Sequence, residues 1–219
     1  MLQTLERTVL SAEPTCETRL LGAGDAPALR AFCGAALPLL PAPGLGPALH
    51  GGRLLGDFAA DALQAAAALL PLFADDPLPA ALRAAGFGAD GQGAVLTPPL
   101  TAARYTRLRQ FLHAALRLAT ARCASYHVWA VQLLDGDPAA CADLCAQYLA
   151  AGLTLRAVLP YSGAQLLVFS ARGLAHWRAP RRCCRLGDPA LPRLLERGCA
   201  AADFQWDAGG LALVLRDDD

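Results

Sequence analysis

The block from Tyr126 to Ser170 constrains the fold of this chain most tightly. Val128, Trp129, Val131 and Leu133 supply β-type residues and predict a strand over 126–134. Asp135-Gly136-Asp137-Pro138 reads as a turn, with Asp137 as N-cap and Pro138 as the first helical residue. The helix should run to Ala151 and stop at Gly152, which suits the left-handed C′ position. A strand over 153–158, a turn at Pro160-Tyr161-Ser162-Gly163 and a strand over 164–170 then close a hairpin. A strand, a helix and a returning hairpin in one short block predict an α/β (α+β) domain.

Upstream the pattern is similar. Residues 1–18 read as a lead-in, followed by a strand near 18–21 and a helix over 26–36 with Leu29, Phe32, Cys33 and Ala36 on one stripe. Eight prolines and glycines punctuate 37–52 as a loop. Residues 53–71 are ambiguous. The alanines at 59, 60, 62 and 65–68 favour a helix by propensity. An apolar run at 63–70 also fits a strand buried on both faces, paired in a hairpin with 53–58. A short helix over 76–85, a glycine-rich turn at 88–93 and a strand over 93–97 stopped by Pro98-Pro99 come next. An amphipathic helix over 102–121 follows, with Leu108, Leu112, Ala115, Leu116 and Ala119 on its apolar face. Residues 178–185 read as an Arg/Cys loop, 188–197 as a short helix and 210–216 as a last strand.

Composition narrows the function classes. All 19 basic residues are Arg, and 19 acidic residues balance them, so net charge gives no footing for nucleic acid or an anionic membrane. The N-terminus lacks a basic region followed by an apolar stretch, and the longest apolar run is too short to span a bilayer, so the expected location is cytoplasmic. Eight Cys without an export signal read as reduced, buried structural thiols. No C-x-x-C pair or His at zinc spacing occurs, so no metal is expected.

The order of elements resembles the GNAT acyltransferase fold. His127-Val128-Trp129-Ala130-Val131-Gln132 resembles the family's fifth strand, and Tyr148-Leu149-Ala150-Ala151-Gly152-Leu153 resembles its Tyr-x-x-x-Gly-Phe helix end. Residues 155–169 resemble the closing hairpin, and Glu17 to Cys33 the opening strand and helix. The resemblance implies a GNAT-like mixed, splayed central sheet with helices on both faces. It implies a single domain over 1–219, with 171–219 as a C-terminal extension completing the sheet. It also makes 63–70 the third strand.

The family's phosphate motif, Arg/Gln-x-x-Gly-x-Gly/Ala, lets backbone N–H groups and a helix dipole hold the CoA diphosphate. Its counterpart here is Pro99 to Leu108, in which Arg104 matches the lead Arg while Tyr105 and Arg107 replace both glycines. The resemblance therefore implies acetyl-CoA as co-substrate, held by Val95, Leu96, Thr97, Arg104, Tyr105, Thr106, Arg107 and Leu108. The amides near Leu96 and Thr97 would polarise the thioester carbonyl. Tyr148 would be the acid that protonates the departing thiolate.

Each residue also has a plainer reading. Tyr148 could be a packed aromatic, Arg104, Arg107 and Arg109 a solvated helix face, and His113 a polar-face histidine. No Asp or Glu occurs between Gly91 and Leu134, and His127, a possible base, only begins its strand. Ser162-Gly163 lacks the Gly-x-Ser-x-Gly context of a nucleophile. Two functions stay open: an acyl-CoA-dependent N-acyltransferase acting on a primary amine of a small molecule or protein, as monomer or homodimer, and a GNAT-like binding or regulatory module without catalysis.

Overall fold

The computed structural model describes residues 16–36, 53–88, 93–122, 127–134, 138–171 and 182–217. The lead-in before 16, the loop at 37–52, the Asp137 cap and Cys123 lie outside the described residues.

Among the described residues eleven strands form one sheet. They are β1 (Cys16–Leu20), β2 (Arg53–Ala59), β3 (Ala62–Pro71), β4 (Gly93–Leu96), β5 (Leu100–Thr101), β6 (His127–Leu134), β7 (Thr154–Tyr161), β8 (Ala164–Ser170), β9 (Arg182–Arg185), β10 (Cys199–Asp207) and β11 (Gly210–Asp217). The order is β1-β2-β3-β4-β6-β8-β7-β10-β11-β9, with β5 paired to β3. Only β4 and β6 pair in parallel. The helices are α1 (Ala26–Ala36), α2 (Pro77–Ala84), α3 (Leu108–Arg122), α4 (Pro138–Ala150) and α5 (Leu191–Glu196).

The ambiguous stretch is a hairpin. Ala60 and Asp61 both take left-handed φ, 46° and 63°, and so make a two-residue turn of the type that matches strand twist. β3 is then flanked by β2 on one edge and by β4 and β5 on the other. Ala65, Ala67 and Leu69 face the cluster built on α3 and α4, while Ala66 faces that of α1. Burial on both faces overrides the helical propensity of the alanines.

Helices cover both faces, as the resemblance implies. Phe111, Leu112 and Ala115 of α3 and Cys145, Tyr148 and Leu149 of α4 share one core with Leu96 and Ala130. Leu78 and Leu82 of α2 pack with Val95, Val131 and Val168 on the other side. β9, β10 and β11 carry the sheet beyond β7, so the C-terminal extension joins it.

The strand expected over 93–97 ends at Leu96, before Pro98-Pro99, and β5 then resumes pairing with β3 through Ala65↔Thr101 and Ala66↔Leu100. Other expectations need correction. The long helix starts at Leu108 rather than 102, since the chain turns at 103–104 with Arg104 at φ 63°. Residues 182–185 are strand β9 rather than loop, paired with 212–215 of β11. Strand β10 had no counterpart in the sequence reading. The thiols also divide: Cys141, Cys145, Cys184 and Cys199 are buried, whereas Cys16 and Cys183 are exposed.

Candidate functional site

The sheet opens where β4 and β6 part. Their register runs Gly93↔His127, Ala94↔Val128, Val95↔Trp129 and Leu96↔Ala130, and ends there. Past that point the first strand stays with β3, through Thr97 and then β5. The second stays with β8 over Val131 to Leu134. On the β3 side the pairing is irregular beyond Leu96. The Thr97 N–H donates to the Ala68 carbonyl at 2.9 Å, but the Ala68 N–H returns to the Thr97 hydroxyl at 2.9 Å instead of to a carbonyl. Two prolines without N–H groups follow, and pairing with β3 resumes only at Leu100.

Tyr148 stands at this opening. It lies on α4, four residues before Gly152, whose φ of 88° terminates the helix. Its hydroxyl donates to the carbonyl of Val131, the first β6 residue past the last β4 partner, at 3.1 Å. The Gln132 Oε1 lies 3.3 Å away. The ring packs on Phe169 with centroids 4.7 Å apart. The residue is 0% exposed, and burial raises the phenol's pKa, with Cys145 adding to the effect. Tyr148 is therefore a neutral donor throughout the physiological range.

The first turn of α3 borders a groove of about 470 Å³. Thr106, Arg109 and Gln110 line one side, Asp143, Ala146, Gln147 and Ala150 of α4 the other, and Phe204 and Trp206 of β10 close it. Trp206 is 52% exposed. Among the described residues nothing bonds the amides of Leu108, Arg109 and Gln110; the first helical bond is Phe111 N–H to Arg107 carbonyl, 2.9 Å. Three free amides at the positive end of a 15-residue helix attract an anion. Arg109 adds a positive charge and Asp143 a negative one.

The predicted site residues divide accordingly. Thr106 lines the groove. Leu96 faces the Tyr148 core, Val95 packs on the opposite, α2 side, and Leu108 is buried under its helix. The Thr97 amide is spent on Ala68, which corrects the expectation that it polarises a carbonyl. Arg104 is exposed at its turn and does not line the groove. Tyr105 and Arg107 face away from the groove. The Tyr105 hydroxyl donates to Asp57 Oδ2 at 2.7 Å, and Arg107 Nη1 pairs with the same oxygen at 3.2 Å. Burial first and this hydrogen bond second raise the Tyr105 pKa.

His127 is ill placed for a base. It sits four residues before Val131, about 13 Å along the strand, stacked on Trp129 with its Nε2 2.7 Å from the Ser170 hydroxyl. His113 is exposed on α3, and Ser162-Gly163 form the two-residue β7–β8 turn at φ 48° and 83°. Among the described residues no group of three His, Cys, Asp or Glu could hold a metal, and no helix is long and apolar enough to cross a membrane.

Sequence reasoning missed Asp57, Gln110, Asp143, Gln147, Phe204 and Trp206. A faint signal existed for α4, where Asp143, Ala146, Gln147 and Ala150 share one helical face.

The sequence matches no protein-family model and no curated protein. Solved structures do match. FeeM, an N-acyl amino acid synthase from uncultured soil microbes, is 12% identical, with 72% of this chain and 89% of that one covered and a TM-score of 0.53. YncA of Salmonella typhimurium, solved with its cofactor acetyl-CoA, is 13% identical, with 74% and 95% covered and a TM-score of 0.51. At these identities the likeness is one of fold.

Proposed function

We propose, for a chain that has the fold of the GNAT acyltransferases, that it binds acyl-CoA and transfers the acyl group to a primary amine. One observation carries the reading: the Tyr148 hydroxyl lies where β4 and β6 part, beside the Val131 carbonyl. The diphosphate would meet the free amides of Leu108, Arg109 and Gln110. The nucleotide end would lie in the groove between α3, α4 and β10, and the thioester arm would run toward the parted strands. YncA was solved with acetyl-CoA, which makes that thioester the natural first probe.

The chemistry follows from the groups present. A neutral amine nitrogen attacks the thioester carbonyl carbon, and the C–N bond forms as the C–S bond breaks. The departing thiolate takes the electron pair and accepts a hydrogen bond from the Tyr148 hydroxyl. The proton shed by the ammonium goes to the thiolate or to solvent. Because burial raises the phenol's pKa above that of a thiol, Tyr148 acts chiefly as a hydrogen-bond donor to developing negative charge. The acceptor is the amine of a small molecule or a protein.

A second reading, a module that binds without catalysis, is favoured by the Thr97 amide already being used by Ala68. Hydrogen exchange with and without acetyl-CoA tests the site. Protection should appear in peptides spanning 105–112 and 141–150. Protection elsewhere, or none, overturns the proposed site. Protection there with no thiol release from any amine selects the second reading.

A further inference from the structure

Asp57 is a carboxylate only 1% exposed, on β2, at a register shift between Asp57 and Phe58. It accepts from the Thr18 hydroxyl of β1 at 2.6 Å on one oxygen, and from Tyr105 and Arg107 on the other. The acyl-CoA site described above does not include it. Its partners explain its place. Residues 105–107 run into α3 without helical structure, and their side chains alternate: Tyr105 and Arg107 reach back to β2, while Thr106 lines the groove. Tyr105 and Arg107 are the bulkiest side chains immediately before the free amides of α3. Turned the other way, they would fill the approach to that turn.

We propose that Asp57 is a positioning residue that holds Tyr105 and Arg107 on the β2 side and so keeps the first turn of α3 open to a diphosphate. The inference rests on the acyl-CoA reading and deepens it. One buried carboxylate neutralises Arg107, fixes the Tyr105 hydroxyl and ties both to Thr18, so the turn is anchored to β1 and β2 at once. Arg107 thus acts through position, and among the described residues the positive charge lining the groove is that of Arg109.

The test is calorimetric titration of acetyl-CoA into the full chain, below each variant's melting temperature. Asp57→Ala should weaken binding at least tenfold. Adding Tyr105→Ala and Arg107→Ala to that variant should bring affinity back to within threefold of wild type, because no bulky side chain then needs holding. Asp57→Asn, a milder change that keeps the shape, should weaken binding by a smaller factor and serves if Asp57→Ala does not fold. A merely structural role would lower melting temperature in every Asp57 variant with no rescue of affinity. Wild-type affinity in Asp57→Asn, or no rescue in the triple variant, overturns the inference and leaves the acyl-CoA reading standing. No binding of acetyl-CoA by wild type overturns both.

Discussion

Tyr148→Phe separates the structural and chemical roles of one hydroxyl. The ring keeps its place against Phe169, 4.7 Å away, so packing is conserved. What is lost is the donor to the Val131 carbonyl at 3.1 Å and to Gln132 Oε1 at 3.3 Å, in a site with no exposure. Leaving a buried acceptor unpaired costs about 1–2 kcal/mol. For a chain of this size that lowers the melting temperature by roughly 2–8 °C. The kinetic effect is separate. Removing one preorganised hydrogen-bond donor to developing negative charge costs on the order of 10²–10³-fold, and a thiolate is a good leaving group, which places the loss near the lower end, about 10²-fold in kcat. Thiol release from acetyl-CoA, with water or a panel of primary amines as acceptor, reads this directly. The affinity for acetyl-CoA should stay within about twofold, a change of under 1 kcal/mol. Because burial raises the phenol's pKa, wild-type kcat should show no decline from Tyr148 ionisation between neutral and mildly alkaline pH. Full turnover in Tyr148→Phe, with only the stability loss, would refute the reasoning.

Three further outcomes follow from the geometry. A Cβ on Gly56 would lie 2.6 Å from Leu21 Cδ2 and 2.7 Å from Leu63 Cδ1, so Gly56→Ala should cost about 1–3 kcal/mol as those tips are displaced; an unchanged urea midpoint would contradict this. Asp143 is the carboxylate in the groove, so Asp143→Asn should tighten acetyl-CoA binding by up to about fivefold at low salt and by less at high salt; weaker binding would contradict a diphosphate there. The Asp25 carboxyl is held at about 2, first by Arg19 and then by the Gly22 amide. Its contribution is present above the unfolded value near 4 and lost as pH falls from about 4 toward 2. Asp25→Asn should therefore flatten that part of the acid unfolding curve, and superimposable curves would contradict it.

Much of the fold is written locally. The β6–α4–β7–β8 block was legible because its signals are short-range: Gly152 ends α4, and Ser162-Gly163 turn β7 into β8. The alanines of β3 were not decisive, since two-sided burial between helix layers is a tertiary fact that propensity opposes. The start of α3 was misplaced for a similar reason. Arg104 adopts a left-handed φ at roughly 1–2 kcal/mol, and the carboxylate that secures the next residues lies about fifty positions earlier, at Asp57. The place of Tyr148 could be read from its spacing to Gly152. The far wall of the groove could not, because Phe204 and Trp206 reach it only through the addition of β10 beside β7.

Thermal unfolding of the full chain with increasing acetyl-CoA tests the central claim most directly. At a hundred times its Kd, a ligand that binds only the native state adds about 2.7 kcal/mol, which should raise the melting temperature by roughly 5–10 °C. A saturable rise of that size, lost with a CoA analogue lacking the diphosphate, is the predicted result. An unchanged melting temperature at millimolar acetyl-CoA would contradict the account.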